Sequence, residues 1–298
     1  MRKKIFKAIR DLWIALRPLS LTLALSSTTL GIIFAYRDGY ISFDKGSYDA
    51  LYIVLITIAG CSVLACANLI NDFYEGSFKY HRPDEKTYDL LGYKRSLFDM
   101  LVFFTSFACL GLTGLIGLFL MFSRNINLFW IGIIGMLGSY AYTGEPFVYK
   151  RKGFGALFSL ILVGFLMVLG SYMVFSPTWT LKPVLLATPA SLMIPLMMMS
   201  NEIRDYERDK QLGIRTASVI FGKQFAYTVY ISILITAYFL TFILIALGLL
   251  PRLSLIVFAT IPLSLKAYRT VAQEYTGIRI TNQLHNLFNI LMILSLVI

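Results

Sequence analysis

The stretch "ALYIVLITIAGCSVLACANLINDFYEG" (residues 50–76) runs apolar through residue 70 and then turns acidic. An uncharged run of about 20 residues is the length a helix needs to cross the hydrocarbon of a bilayer. At that depth the backbone has no water to bond, and a helix satisfies its own amides within such a run. Similar runs recur near 19–36, 100–122, 127–144, 155–176, 183–200, 224–249, 253–265 and 282–298. The expected fold is therefore all-α, a polytopic membrane protein of about nine transmembrane helices. The run at 253–265 is the shortest and follows Pro251. Composition agrees: with 57% hydrophobic and only 14% charged residues, the 298-residue chain is too apolar for a soluble domain. We find no linker or low-complexity tract, so residues 1–298 are expected to form one domain.

The formal net charge of +11 could suggest a nucleic-acid partner, but its distribution argues for a membrane instead. With the N-terminus cytoplasmic, only Arg37, Lys45, Arg124, Lys182 and Arg252 of the 27 Lys and Arg fall on the outer side. This is the positive-inside pattern, and a wrong helix count would scramble it. The expectation is a multi-pass protein of the cell membrane with a cytoplasmic N-terminus. Its basic loops meet anionic headgroups of the lipid bilayer, and no nucleic acid is implied. The opening "MRKKIFKAIRDLWIALRP" (1–18) is basic with apolar residues at helical spacing, as in an interfacial helix. Cys61, Cys66 and Cys109 lie within spans without a pairing or metal-binding spacing.

Two apolar runs end in the same way. Asn68, Asp72 and Glu75 share one helical stripe, and Asn201, Asp205 and Asp209 share another. Each stripe offers oxygen ligands only, which suits a hard cation such as Mg²⁺, with Mn²⁺ as a substitute, better than zinc. The stripes close the second and sixth spans, an even number of crossings apart, so both emerge on the cytoplasmic side around a shared cavity. Cations accompany them: Lys79 and Arg82 in the first loop, Lys150 within "YKRK" (149–152), and Arg204, Arg208 and Arg215 in the second. Acid for a metal, base for an anion and an apolar body describe a pocket for an amphiphile with a phosphorylated head. A transporter is the rival reading. Against it, the acidic motifs recur in parallel rather than inverted orientation, and charge is scarce within the spans.

At these residues the chain resembles the UbiA superfamily of intramembrane prenyltransferases, and within it the branch that prenylates 1,4-dihydroxy-2-naphthoate in menaquinone synthesis. The likeness is carried by "WIALRPLSLTLALSSTTLG" (13–31), "ANLINDFYEG" (67–76), "AYTGEPFVYKRKGFGALFSLILVG" (141–164) and "NEIRDYERDKQLGIRTASVIFGK" (201–223). The resemblance implies nine helices and Mg²⁺-dependent transfer of a prenyl group from a polyprenyl diphosphate to an aromatic acceptor. An ether-lipid, haem O or chlorophyll-type acceptor is the alternative on the same scaffold. It further implies metal ligation by Asn68, Asp72, Glu75, Asn201, Asp205 and Asp209, and diphosphate contacts from Arg17, Lys79, Arg82, Lys150 and Arg215. Tyr140, Tyr142 and Tyr149 become candidates to stabilise an allylic cation, with Tyr142 grouped with Asp72, Asp205 and Asp209 as catalytic. Two departures stand out: Lys79 replaces a third acidic position of the first motif, and Glu202 follows Asn201 where that branch has a second Asn.

Overall fold

The computed structural model describes residues 2–76, 86–271, 273 and 276–298. Its helices are α1 (Arg2–Leu16), α2 (Pro18–Arg37), α3 (Asp49–Asn71), α4 (Leu97–Ser123), α5 (Leu128–Ala141), α6 (Gly155–Met173) and α7 (Lys182–Ser191). They continue with α8 (Met193–Gln211), α9 (Ala217–Phe221), α10 (Lys223–Ala246), α11 (Ile261–Thr270) and α12 (Thr276–Val297). Among the described residues, seven segments are long and apolar enough to cross a membrane: α2, α3 with its extension to Glu75, α4, α6, α7 with α8, α10 and α12. Two of the nine expected runs fall short of that. The fourth, α5, has 14 residues because the Gly144–Pro146 turn stops it early. The eighth is a 3₁₀ helix, Arg252–Thr260, leading into α11. Pro251 opens that 3₁₀ stretch and Pro262 lies in the first turn of α11, where a missing amide and a fixed φ disfavour a continuous α-helix.

The all-α expectation holds apart from one hairpin, β1 (Thr87–Leu90) against β2 (Tyr93–Ser96). Leu91 and Gly92 both have positive φ, 54° and 77°, the backbone that a two-residue hairpin turn demands. Ser96 then caps α4: its hydroxyl accepts from the Asp99 amide, and Asp99 accepts from the Ser96 amide in return. Buried Arg95 lies over the Phe73 ring at 4.4 Å, which pins the hairpin to the end of α3.

Burial sorts the helices. The α7–α8 segment is 78% buried across its apolar window, whereas α4 is 17% buried, so α8 is central and α4 faces lipid. Peripheral helices show large apolar side chains outward, including Phe104, Leu115 and Phe122 on α4 and Ile235 and Phe239 on α10. Helix α1 buries Ala15 and half-buries Leu12 and Leu16 on its α3 and α4 side and leaves Phe6, Ile9 and Trp13 exposed. That double-faced pattern suits a helix lying along an interface. At the end of the bundle away from the acidic motifs, ion pairs join helices distant in sequence. Lys182 Nζ and the Tyr172 hydroxyl both bond Asp38, at 2.7 and 2.8 Å. Arg124 lies 3.5 Å from Asp49, donates to the Val174 carbonyl at 2.9 Å, and sits over the Tyr52 ring.

Candidate active site

Helix α3 does not stop at Asn71. It widens into a π-helical turn, Asp72–Gly76, which rotates Glu75 toward the bundle interior. Helix α8 brings the second stripe to the same place. Asn68, Asp72, Glu75, Asn201, Asp205 and Asp209 all line one cavity of about 1090 Å³. That volume sits at the upper edge of what drug-sized ligands occupy, so a substrate larger than a metabolite fits. The charged mouth leads to an apolar interior walled by Leu162, Val163, Leu166, Ile194, Met197 and Met198. Part of that wall belongs to the π-helical stretch Leu160–Leu166 of α6. Of the Met197–Met199 run, Met199 is buried away from the cavity.

The acidic groups do not stand alone. Asn71 Nδ2 donates to Glu75 Oε2 at 2.9 Å, Lys150 Nζ bonds the same oxygen, and Arg151 Nε lies 3.6 Å from Oε1. Arg17 donates to Asn71 Oδ1 and so joins this chain from the α1–α2 junction. On α8, Arg204 grips Asp205 through two parallel bonds of 2.7 Å. Arg208 spans Asp205 at 3.0 Å and Asp209 at 2.8 Å. Glu207 points outward and is exposed, as its position on the opposite side of the helix requires.

Whether these residues suit a divalent cation can be tested on their donors. The set is oxygen-only and cavity-facing, which matches a hard ion. Asn68 uses its amide hydrogens on Leu16 O and Ser20 Oγ, so its carbonyl oxygen is the atom offered to a ligand. Glu75 Oε1 is buried and accepts no hydrogen bond. Among the described residues no three acidic or imidazole or thiolate side chains converge on one point. The donors therefore form two groups on two helices, and an ion would be held by carboxylate and amide oxygens from one helix or shared between them. In kind, the residues fit Mg²⁺.

Three tyrosines were candidates, and they separate. Tyr142 and Tyr149 line the cavity with ring centroids 5.5 Å apart. The Tyr142 hydroxyl donates to Met198 Sδ at 3.4 Å, and that of Tyr149 donates to the Gly138 carbonyl at 3.0 Å. Burial pushes both phenols above their ordinary value, so they stay protonated and neutral. Lys150 Nζ lies 5.7 Å from the centre of the Tyr142 ring, within cation–π range. Tyr140 is not on the cavity wall. Two residues before Tyr142 on the helix, it points the opposite way, packs near Phe107 and donates to the Glu145 carbonyl at 3.0 Å.

The cations also divide. Arg17, Lys150, Arg151, Arg204 and Arg208 line the cavity. Arg215 is exposed and lies outside the wall, although its neighbour Ile214 is part of it. Lys79 and Arg82, with the acidic Asp84 and Glu85, lie outside the described residues. Wall residues outside the candidate set include Asn71, Arg151 and Glu202. Glu202 is buried, and its Oε2 accepts from the Ser218 amide at 3.2 Å, tying α8 to the start of α9. Its spacing to Asp205 and Asp209, three and then four residues, is a helical stripe that a reading centred on Asn201 passes over.

Comparison with known proteins bears on this geometry. Over 296 residues the chain is 26% identical to 1,4-dihydroxy-2-naphthoate octaprenyltransferase of Bacillus subtilis (strain 168), covering 96% of this chain and 92% of that protein. It is 30% identical over 220 residues to UbiA prenyltransferase domain-containing protein 1 of Xenopus tropicalis, with 73% of this chain matched to 61% of that longer protein. Among solved structures it is similar to a digeranylgeranylglyceryl phosphate synthase, with a TM-score of 0.63, 19% identity, and coverage of 98% of this chain and 99% of the other. It is also similar to a UbiA homolog from Archaeoglobus fulgidus bound to GPP and Mg²⁺, with a TM-score of 0.61, 15% identity, and coverage of 95% and 96%. The UbiA prenyltransferase family matches residues 16–290, a range that contains both acidic stripes and most of the cavity wall, and the chain is a membrane-embedded member of that family and a prenyltransferase.

Proposed function

We propose that the chain transfers the prenyl group of a polyprenyl diphosphate to an aromatic acceptor, 1,4-dihydroxy-2-naphthoate, in menaquinone biosynthesis. One observation carries the reading: two oxygen-donor stripes and five cations meet at the mouth of a single deep apolar cavity. The Bacillus relative, matched along almost its whole length, supports this acceptor. The cations Arg17, Lys150, Arg151, Arg204 and Arg208 hold the diphosphate, and the apolar wall takes the isoprenoid tail. Arg215, Lys79 and Arg82 are assigned further contacts with the diphosphate, as the family resemblance implies. Asn68, Asp72, Glu75, Asn201, Asp205 and Asp209 hold Mg²⁺, with Mn²⁺ as a substitute. When bound, the metal supplies charge neutralisation to the departing diphosphate.

The allylic C–O bond breaks, the diphosphate keeps the electron pair, and positive charge develops on the allylic carbon. The neutral ring faces of Tyr142 and Tyr149 stabilise that charge by their quadrupoles. The apolar wall keeps water from intercepting the cation. A ring carbon of the acceptor forms the new C–C bond and releases a proton, or carbon dioxide where it carries a carboxylate. The N-terminus and both acidic stripes face the cytoplasm of the cell membrane, where diphosphate donors are dissolved or delivered. Residues 1–298 act as one domain.

The test is an assay of purified protein with Mg²⁺, a radiolabelled prenyl diphosphate and a panel of acceptors. A prenylated naphthoquinol is expected. Label appearing only in an ether lipid, a haem or a chlorophyll-type product replaces the acceptor, and no transfer to any acceptor removes the reading.

A further inference from the structure

Lys150 has acids from two helices beside it. It lies in the 3₁₀ turn Tyr149–Lys152 on the cavity wall, and its ammonium bonds Glu75 Oε2 at the end of α3. Asn71 donates to that same oxygen, while the buried Oε1 accepts no hydrogen bond and lies 3.6 Å from Arg151 Nε. On the other flank is α8. A Cβ built on Gly155 would lie 3.3 Å from Glu202 Oε1 and 3.7 Å from Lys150 Cγ, so the lysine stem and the Glu202 carboxylate flank one glycine. The pairing differs from that of Asp205 and Asp209, whose partners Arg204 and Arg208 sit on the same helix as the acids. Glu75 takes its cations from a separate turn, and Lys150 reaches it through a flexible four-carbon stem.

We propose that Lys150 competes with the divalent cation for Glu75, and that the diphosphate lifts this competition by drawing the ammonium away. The inference rests on the transfer reading above, which assigns Glu75 to the metal and Lys150 to the diphosphate. A divalent ion on Glu75 would share its carboxylate with the ammonium already bonded there. Two cations so close repel each other, and strongly where the surroundings are partly desolvated. The diphosphate offers the ammonium a second anion, which it can reach by turning its stem while the backbone stays in place. Metal and diphosphate then each favour the binding of the other through an exchange of partners at Lys150, and by linkage the gain is the same in both directions. The metal is held weakly by itself and tightly with the donor.

The experiment titrates Mn²⁺, read by electron paramagnetic resonance, into the full chain in phosphatidylcholine nanodiscs, with and without a non-hydrolysable geranyl thiodiphosphate. Lys150→Met should bind Mn²⁺ alone about 10-fold more tightly than the wild type and should gain less from the analogue. Lys150→Gln, which can still donate to Glu75 but carries no charge, should behave in the same way, and it keeps the test decisive if the Met variant does not fold. Arg17→Gln controls for net charge. It removes one positive charge from the same wall, but its partner is the Asn71 amide rather than a carboxylate, so Mn²⁺ affinity should rise far less. Lys150 variants that bind Mn²⁺ alone no more tightly than the wild type, or that gain no more than Arg17→Gln, overturn the competition and leave the transfer reading standing if the wild type transfers prenyl groups. A wild type that neither binds Mn²⁺ with the analogue nor transfers a prenyl group overturns both.

Discussion

Among the described residues, both ends of the helix bundle carry ion pairs and use them differently. At the end away from the acidic motifs, Asp38 meets Lys182 and Asp49 meets Arg124, pairs that join helices far apart in sequence. At the motif end, Asp205 and Asp209 meet Arg204 and Arg208, neighbours on one helix. A pair between helices braces the fold. A pair along one helix contributes only a few tenths of a kcal/mol and fixes no packing. The α8 pairs therefore neutralise charge around the cavity while keeping both signs on its wall, as the proposed metal and diphosphate sites require. The Glu75 cluster is intermediate, since Lys150 and Arg151 reach it from a different segment.

The sharpest way to break this contrast is chelation. EDTA should abolish prenyl transfer, and Mg²⁺ should restore it, with the thermal midpoint little changed because no described pair at this end needs the metal to hold helices together. Full turnover in EDTA ends the assignment of the motif end to metal binding. Next come single carboxylates. Asp72→Ala, Asp205→Ala and Asp209→Ala should each lower kcat/KM by at least about 100-fold, and the corresponding Asn variants nearly as much, since shape is kept but charge is lost. Glu207→Ala, on the exposed side of α8, is the control and should be nearly silent. Equal damage at Glu207 and Asp205 would mean that general acidity of the segment matters, not the stripe.

The opposite pattern is expected at the far end. Arg124→Leu removes the partner of a buried Asp49 carboxylate and should cost about 3 kcal/mol of stability, read as a lower thermal midpoint in detergent, while kcat/KM holds. Loss of activity without loss of stability would erase the distinction between the ends. The smallest effect concerns pH. Burial acts to raise the Asp38 carboxyl, but Lys182 and Tyr172 outweigh it and hold the group below its ordinary value of 3.8. A depressed carboxylate contributes stability above the unfolded-state value and loses it as pH falls through the folded one. The thermal midpoint of the wild type should therefore drop more steeply below about pH 4 than that of Asp38→Asn. Parallel curves would show that this pair braces nothing.

Local periodicity made much of this legible. The apolar runs became helices, the two acidic stripes reached one cavity, and Glu207 faced out, because each depends on spacing within a single helix. What stayed hidden depends on partners remote in sequence or on backbone that departs from 3.6 residues per turn. The π turn at Asp72–Gly76 and the 3₁₀ stretch at Arg252–Thr260 break the period from which faces are read. Tyr140 and Tyr142 look equivalent as letters, and only the helix end decides which one reaches the cavity. Arg95 stacks on Phe73 and Glu202 anchors Ser218, contacts that follow from how loops return to the bundle.

Arg17 illustrates a consequence for evolution and engineering. It links α1 to α2 in the left-handed region, with φ 51° and ψ 65°, where a residue with a Cβ is strained and glycine is at ease. Its guanidinium meanwhile bonds Asn71 of the first motif. Glycine at this joint would relax the backbone and delete the contact, whereas any longer side chain retains the strain. Searches for a more stable variant that score backbone comfort alone will converge on the substitution that disconnects the joint from the active site. Under the proposed role of Arg17 at the diphosphate, a gain in stability and the retention of activity are opposed at a single codon.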